Sequence, residues 1–266
     1  MGSIGASLKQ QLENVREALA SLLFPAPCLI CGQMLDTGLR IPFCHSCIAE
    51  LTSTLPAPLC SQCGRPIYLA ESSASDSAQC HMCRRGAYHF DLARSYGAYT
   101  PAMARAVLML KHEEVTPLGA WFADLLARLL FRDPALFAAD VVVPVPLDPA
   151  RRRERGYNQA ELIARPLARL LGIPFRSFLL VRTRPRPDKL RLTRRERWET
   201  VRGAYATRQG VQVDKLRVLL VDDVFTTGAT LDACSQALRS AGAARVACLT
   251  VARAIPQPVT HGAATE

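Results

Sequence analysis

Residues 218–230, VLLVDDVFTTGAT, gather the side chains best suited to chemistry in this chain. Two adjacent carboxylates, Asp222 and Asp223, are followed at once by Thr226, Thr227, Gly228, Ala229 and Thr230. Ionised carboxylates only accept hydrogen bonds, which suits them to the vicinal hydroxyls of a sugar. Hydroxyls and a glycine at the start of a helix, where backbone N–H groups lack partners and the dipole is positive, suit a phosphate. Acids beside such a loop describe a pocket for a ribose 5-phosphate. An acidic pair can also merely cap and solvate a turn, but the ordered run of apolar residues, acids, TTGAT and helix favours the pocket. No G-x-x-x-x-G-K-[ST] is present and no G-x-G-x-x-G opens a helix after a strand, so the commoner nucleotide loops are not supported.

The elements that must hold these residues follow from periodicity. Val218–Val221 has the continuous apolar character of a strand buried on both faces, with the acids expected at its end. Leu231, Cys234 and Leu238 form one helical face, and Gly242 is placed to stop that helix. Upstream, the pattern predicts strands at Phe90–Tyr99, Asp140–Val145 and Phe175–Val181, and a last strand at Arg245–Val251. Helices are expected at Pro101–Lys111, Leu118–Phe131 and a segment ending at Leu171 before Gly172. Strands alternating with helices imply an α/β domain with a mostly parallel, twisted sheet. The segment Val141–Gln159 is a second strand–loop–helix unit, and its loop should open at the same sheet edge as the TTGAT loop.

Eight of the ten cysteines form four C-x-x-C pairs, Cys28/Cys31, Cys44/Cys47, Cys60/Cys63 and Cys80/Cys83. Such pairs in succession point to two closed Cys₄ zinc sites, structural in kind and at home in a reducing compartment. Gly32 and Gly64 follow the second cysteine of the first and third pairs, which suggests two consecutive copies of one ribbon. An interleaved pairing, first with third and second with fourth, stays compatible with the spacing, as does disulfide or redox use. Cys234 and Cys248 are expected as small buried apolar residues.

The chain divides on this reading into an amphipathic N-terminal helix within residues 1–26, a double zinc ribbon over 27–87, and an α/β domain over 88–266. No apolar run of about 18 uncharged residues occurs, and charged residues interrupt the N-terminal apolar face, so no membrane insertion is expected and the cytoplasm is the expected location. The net charge of +10 is localised. Residues 182–202 carry nine basic and three acidic side chains, and residues 151–155 carry four arginines and one glutamate. Such local potential suits a polyanion, either a phosphorylated small molecule or a single-stranded DNA backbone. Between Arg182 and Arg202, two prolines and few apolar anchors predict a mobile lid, and Trp198 and Tyr157 among the arginines suggest base stacking or packing.

The VDDVFTTGAT pattern resembles the signature of the type I phosphoribosyltransferases. That resemblance implies that Asp222 and Asp223 hold the ribose 2- and 3-hydroxyls of phosphoribosyl pyrophosphate (PRPP), that Thr226, Thr227, Gly228, Ala229 and Thr230 hold its 5-phosphate, and that Mg²⁺ accompanies it. It also gives the 141–159 loop the place of the pyrophosphate loop, with Arg151, Arg152 and Arg155 as candidate contacts. Two zinc ribbons, Lys111 in an LKH context, PVPL…RRxRGYNQAELIA, RxERWETVRGAY and VDDVFTTGAT together resemble the ComF family. The resemblance covers residues 24–253 and implies a PRPP-binding protein acting in DNA uptake during natural competence. Its implied partners are single-stranded DNA and DNA-uptake or recombination proteins. An active transferase moving ribose 5-phosphate to a nitrogen acceptor, with Asp222 and Asp223 stabilising the cationic transition state, is the alternative. The chain departs from the family pattern at Lys189 and Thr200, where glutamine and asparagine are usual.

Overall fold

The computed structural model describes residues 27–35, 41–67, 79–132, 138–185 and 193–255. The expected N-terminal helix and residues 186–192 of the basic stretch lie outside these. Each ribbon opens on a knuckle closed by an isolated antiparallel bridge, Pro27 to Met34 in the first and Leu59 to Pro66 in the second. The turn after each first pair requires a positive φ, met by Gly32 at 77° and Gly64 at 69°. The second pair of each ribbon begins a short helix, α1 (His45–Leu51) behind Cys44 and α2 (His81–Arg84) behind Cys80.

After the ribbons the chain runs β1 (Leu92–Ala98), α3 (Pro101–His112), α4 (Pro117–Arg132), β2 (Val141–Pro144), α5 (Pro149–Arg155) and α6 (Gln159–Leu171). It continues through β3 (Leu180–Arg182), α7 (Arg194–Val201), β4 (Tyr205–Thr207), β5 (Arg217–Phe225), α8 (Ala229–Ser240) and β6 (Arg245–Arg253). Four strands pair in parallel in the order β1-β6-β5-β2. Alternation along β5 divides the interior. Leu219 and Val221 face a core shared with α3, α4, α6 and the first ribbon, whereas Val218 and Leu220 face one shared with α8 and the second ribbon. Cys234 and Cys248 are fully buried in that second core. Covering both faces is what an all-parallel sheet requires.

Three elements differ from the sequence expectation. The predicted 175–181 strand meets the main sheet only as an isolated parallel bridge of Phe175 to Val142, with Arg176 N donating to the Val142 carbonyl at 3.0 Å. Leu179 and Leu180 turn into the second core, and β3 pairs with β4 as a separate antiparallel ribbon over the cleft. The predicted Val218–Val221 strand runs four residues further, so the two acids lie within it. In the basic stretch, α7 forms behind a capping box in which Thr193 Oγ1 accepts from Glu196 N at 3.2 Å and Glu196 Oε2 accepts from Thr193 N at 2.7 Å.

Candidate functional site

At the carboxyl edge of the sheet, β2, β5 and the β3–β4 ribbon enclose a cleft of about 610 Å³. Asp222, Asp223, Thr226, Thr227, Ala229 and Thr230 line it, while Gly228 sits behind the loop. Asp223 is buried, and Lys111 at the end of α3 donates to its Oδ1 at 2.8 Å. Its Oδ2 has no partner among the described residues. Asp222 Oδ1 accepts from the Asp223 backbone N–H at 2.9 Å. Burial, and after it the Asp223 charge, pushes the Asp222 carboxyl up to about 8, with Lys111 and the backbone hydrogen bond pulling the other way. The pair therefore combines one lysine-paired carboxylate with one acid that is protonated near neutral pH.

The loop after β5 is fixed from below by aromatic rings. Gly228 adopts φ 82° as the N-cap of α8, and a Cβ there would fall 2.6 Å from Phe225 and 2.8 Å from Tyr88. The N-cap Gly228 has no side chain to cap α8, so among the side chains near the helix start it is Thr227 that reaches a first-turn N–H. Thr227 Oγ1 accepts from Ala229 N at 3.3 Å, and the Tyr88 hydroxyl donates to the Thr227 carbonyl at 3.3 Å.

The arginines of the 151–155 cluster separate in space. Arg151 lines the cleft. Arg152 instead forks onto Glu161 at 2.7 and 3.1 Å, outside the cleft lining. Arg155 donates to Gln159 at 2.6 Å and lines an adjoining hollow of about 250 Å³ with Lys111, His112 and Arg151. Burial, then the charges of Arg155, Lys111 and Arg151, depress the His112 pKa. The sequence places this cluster at a helix start, where cations sit badly. In the structure α5 is a separate short helix ended by Gly156 at φ 80°, and Arg152, Arg153 and Arg155 occupy its last turn, where the dipole favours them.

The other wall draws on the basic stretch expected beside the site, together with Asp148 and Tyr205, which the sequence did not single out. Arg182 and Tyr205 of the β3–β4 ribbon, Asp148 before α5, and Arg197 and Thr200 of α7 all line the cleft. Arg182 donates to the Tyr205 hydroxyl at 2.6 Å and lies 3.7 Å from Asp148, and its Nη2 is buried without a partner among the described residues. Lys111 was legible only as part of a motif; nothing local announced its contact with Asp223 across 112 positions. Trp198 packs 5.9 Å from Tyr88, and Tyr157 donates to the Leu110 carbonyl at 2.7 Å.

The eight cysteines form two groups, Cys28/Cys31/Cys44/Cys47 and Cys60/Cys63/Cys80/Cys83, in each of which all four sulfurs lie within 4.8 Å of one another. The sequential pairing is the one formed. Across the pairs, Cys31 and Cys44 sulfurs are 3.6 Å apart and Cys63 and Cys80 sulfurs 3.7 Å. A tetrahedral zinc with Zn–S of about 2.3 Å calls for roughly 3.8 Å, so the donor sets fit Zn²⁺. Cys44 N and Cys80 N each donate to the first sulfur of their ribbon, Cys28 and Cys60, at 3.3 Å. Four sulfurs leave no open position, so an ion held in either group would be structural. Metal analysis should return two zincs per chain, and Cys28→Ser about one, because metal binding is folding energy in such modules. One zinc or none in fully reduced protein would contradict the two sites.

A double zinc ribbon domain matches residues 19–85 and a phosphoribosyl transferase domain matches residues 157–260. The chain is 31% identical to the DNA utilization protein YhgH of Salmonella typhimurium, over 85% of this chain and 96% of that one. It is 29% identical to competence protein F of Haemophilus influenzae, covering 79% and 90%, and 27% identical to competence protein ComFC of Bacillus subtilis, covering 79% and 83%. No helix among the described residues is long and apolar enough to cross a membrane. Likeness over 85% of the chain to a relative at 31% identity, together with the double zinc ribbon and phosphoribosyl transferase matches, makes this protein a member of the ComF family.

Proposed function

We propose that the cleft binds PRPP with Mg²⁺ and that the protein uses this site in handling single-stranded DNA. The observation that carries the ligand is the acidic pair on β5 leading directly into the glycine-capped N-terminus of α8. Asp222 and Asp223 take the ribose hydroxyls, and Thr226–Thr230 takes the 5-phosphate. Lys111, Arg151 and Arg197 supply positive charge along the same cleft. Mg²⁺, when bound with the ligand, offsets the pyrophosphate charge, and the partnerless Asp223 Oδ2 is an oxygen donor of the kind it takes. In this reading residues 27–87 form the ribbon module and 88–266 the ligand domain, in a reducing cytoplasm that suits eight thiolates. The names of the relatives, competence and DNA utilization proteins, support a DNA role. Titration calorimetry with Mg²⁺ and PRPP tests the ligand; absence of binding sinks the reading.

Two expected results follow at this site. A carboxyl raised to about 8 holds an extra proton in the folded state from about pH 4 upward. Its contribution to stability is therefore complete below the ordinary carboxylate pKa and is lost as pH rises through about 8. The thermal midpoint of apo wild type should fall relative to Asp222→Asn between pH 5 and 8.5, and parallel curves would remove the protonated acid. For DNA, a four-phosphate contact gives a log–log salt slope of roughly −3. Replacing Arg194, Arg195 and Arg197 together with alanine should flatten it by about 2. An unchanged slope with lost PRPP affinity would assign α7 to the cleft alone.

A further inference from the structure

The second zinc site and the loop after β5 share one buried cation. Arg253, the last residue of β6, is 4% exposed. Its Nη1 donates to the Cys63 carbonyl at 2.8 Å, and its Nη2 lies 3.6 Å from the Cys63 sulfur. The guanidinium also stacks 3.8 Å over the ring of Phe225, the residue immediately before Thr226. Tyr88, five positions after Cys83, packs edge-on to Phe225 at 6.2 Å and reaches the Thr227 carbonyl with its hydroxyl. The first site is built differently, with Cys31 exposed and the Cys44 sulfur 3.0 Å from Ser46 Oγ.

We propose that Arg253 is a positioning residue that couples metal occupancy of the second ribbon to the conformation of loop 226–230. Four thiolates around a divalent ion leave two excess negative charges, and a buried guanidinium at the sulfur offsets part of them. The same guanidinium forms the floor on which Phe225 rests, and Phe225 with Tyr88 is the surface Gly228 packs on. Zinc thus holds the arginine, the arginine holds the ring, and the ring holds the loop. Coupling of this kind is reciprocal, so a ligand that orders the loop must also retain the second zinc. The ligand half of this statement rests on the proposed phosphate role of the loop; the metal half does not. The second ribbon then acts as a support for the ligand site, in addition to any docking surface it offers.

The test uses the full zinc-loaded chain and a chromogenic chelator. Wild type should release its two zincs in two phases. Arg253→Met should speed one phase about 10- to 100-fold, the usual cost of losing an outer-sphere partner, and leave the other unchanged. Arg253→Lys, which keeps the charge without the fork, should fall between. Hydrogen exchange at amides 226–230 should accelerate in Arg253→Met, and saturating PRPP should slow only the second site's phase in wild type. Identical release kinetics in wild type and Arg253→Met, or unchanged loop exchange, overturns the proposal. If Arg253→Met does not fold, Phe225→Leu keeps the cation at the sulfur and removes the ring. Faster loop exchange with normal zinc release is then expected, and normal exchange overturns the coupling. Wild type that fails to bind PRPP overturns the proposed ligand, while chelation and exchange still decide the role of Arg253.

Discussion

Asp223→Asn should lower PRPP affinity by about 10- to 100-fold, the equivalent of one charge-assisted hydrogen bond worth roughly 1.5–3 kcal/mol. Asp222→Asn should act in the same direction, but less strongly at pH 6 than at pH 8.5, because the native side chain is raised to about 8 and is itself neutral at the lower pH. The two substitutions differ in their effect on folding. Asp223 is the buried partner of Lys111, so its neutralisation leaves that ammonium unpaired. The lysine side chain is 23% exposed and can hydrate in part, which keeps the loss below the roughly 3–5 kcal/mol of a fully buried broken pair. Lys111→Met provides the complementary measurement, since it strands the Asp223 carboxylate and removes one cation from the cleft. Calorimetric PRPP titration and thermal melts of the three variants separate binding from folding. Equal PRPP affinity in wild type and both aspartate variants would end the ribose assignment.

Gly228→Ala should be far more damaging than Gly156→Ala, although both glycines sit at nearly the same positive φ, 82° and 80°. The left-handed conformation alone costs an alanine about 1–2 kcal/mol. At Gly156 nothing lies within 4 Å of the added methyl, so that is the whole penalty. At Gly228 the methyl would also meet Phe225 at 2.6 Å and Tyr88 at 2.8 Å, two rings packed on each other and on Phe90. Forcing them apart adds about 1–3 kcal/mol of overpacking. The combined loss, about 2–5 kcal/mol, corresponds to a fall in thermal midpoint on the order of 5–15 °C for a domain of this size. PRPP affinity should fall further than stability at 25 °C implies, because the displaced atoms are the floor of the loop. Matching melting curves for the two alanine variants would show that the aromatic floor is soft.

Local signals located the parts of this molecule that depend on local chemistry. The VLLV run, the acids, the TTGAT turn and the glycine stops each obey a rule of backbone or side-chain preference, and the sheet, the helices after it and the zinc knuckles follow them. Thr193-x-x-Glu196 is a capping box written plainly in the sequence, and α7 forms behind it although the charge and prolines of the stretch predict a mobile lid. The contact of Lys111 with Asp223 and the place of Tyr205 were hidden for a different reason. Each side chain reaches the cleft from an element remote in sequence, and no periodicity encodes which side chain a folded sheet edge will meet. Conversely, Arg151, Arg152 and Arg155 look equivalent in sequence, and only the Glu161 and Gln159 side chains of α6 tell them apart.

The position of β6 has a consequence for biogenesis. It follows every other described strand in the chain, yet it lies between β1 and β5 and is buried along nearly its whole length. Until Arg253 leaves the ribosome, β1 has no neighbour in the sheet and β5 presents one open edge. The thiolates of Cys60–Cys83 are complete much earlier, so each nascent chain passes through an interval in which metal can be captured while the sheet cannot close. Pairings over such sequence separation form slowly and leave unpaired edges exposed in the meantime. Chains terminated before residue 245 should therefore accumulate in the insoluble fraction with zinc still attached, a failure of assembly order and not of metal supply.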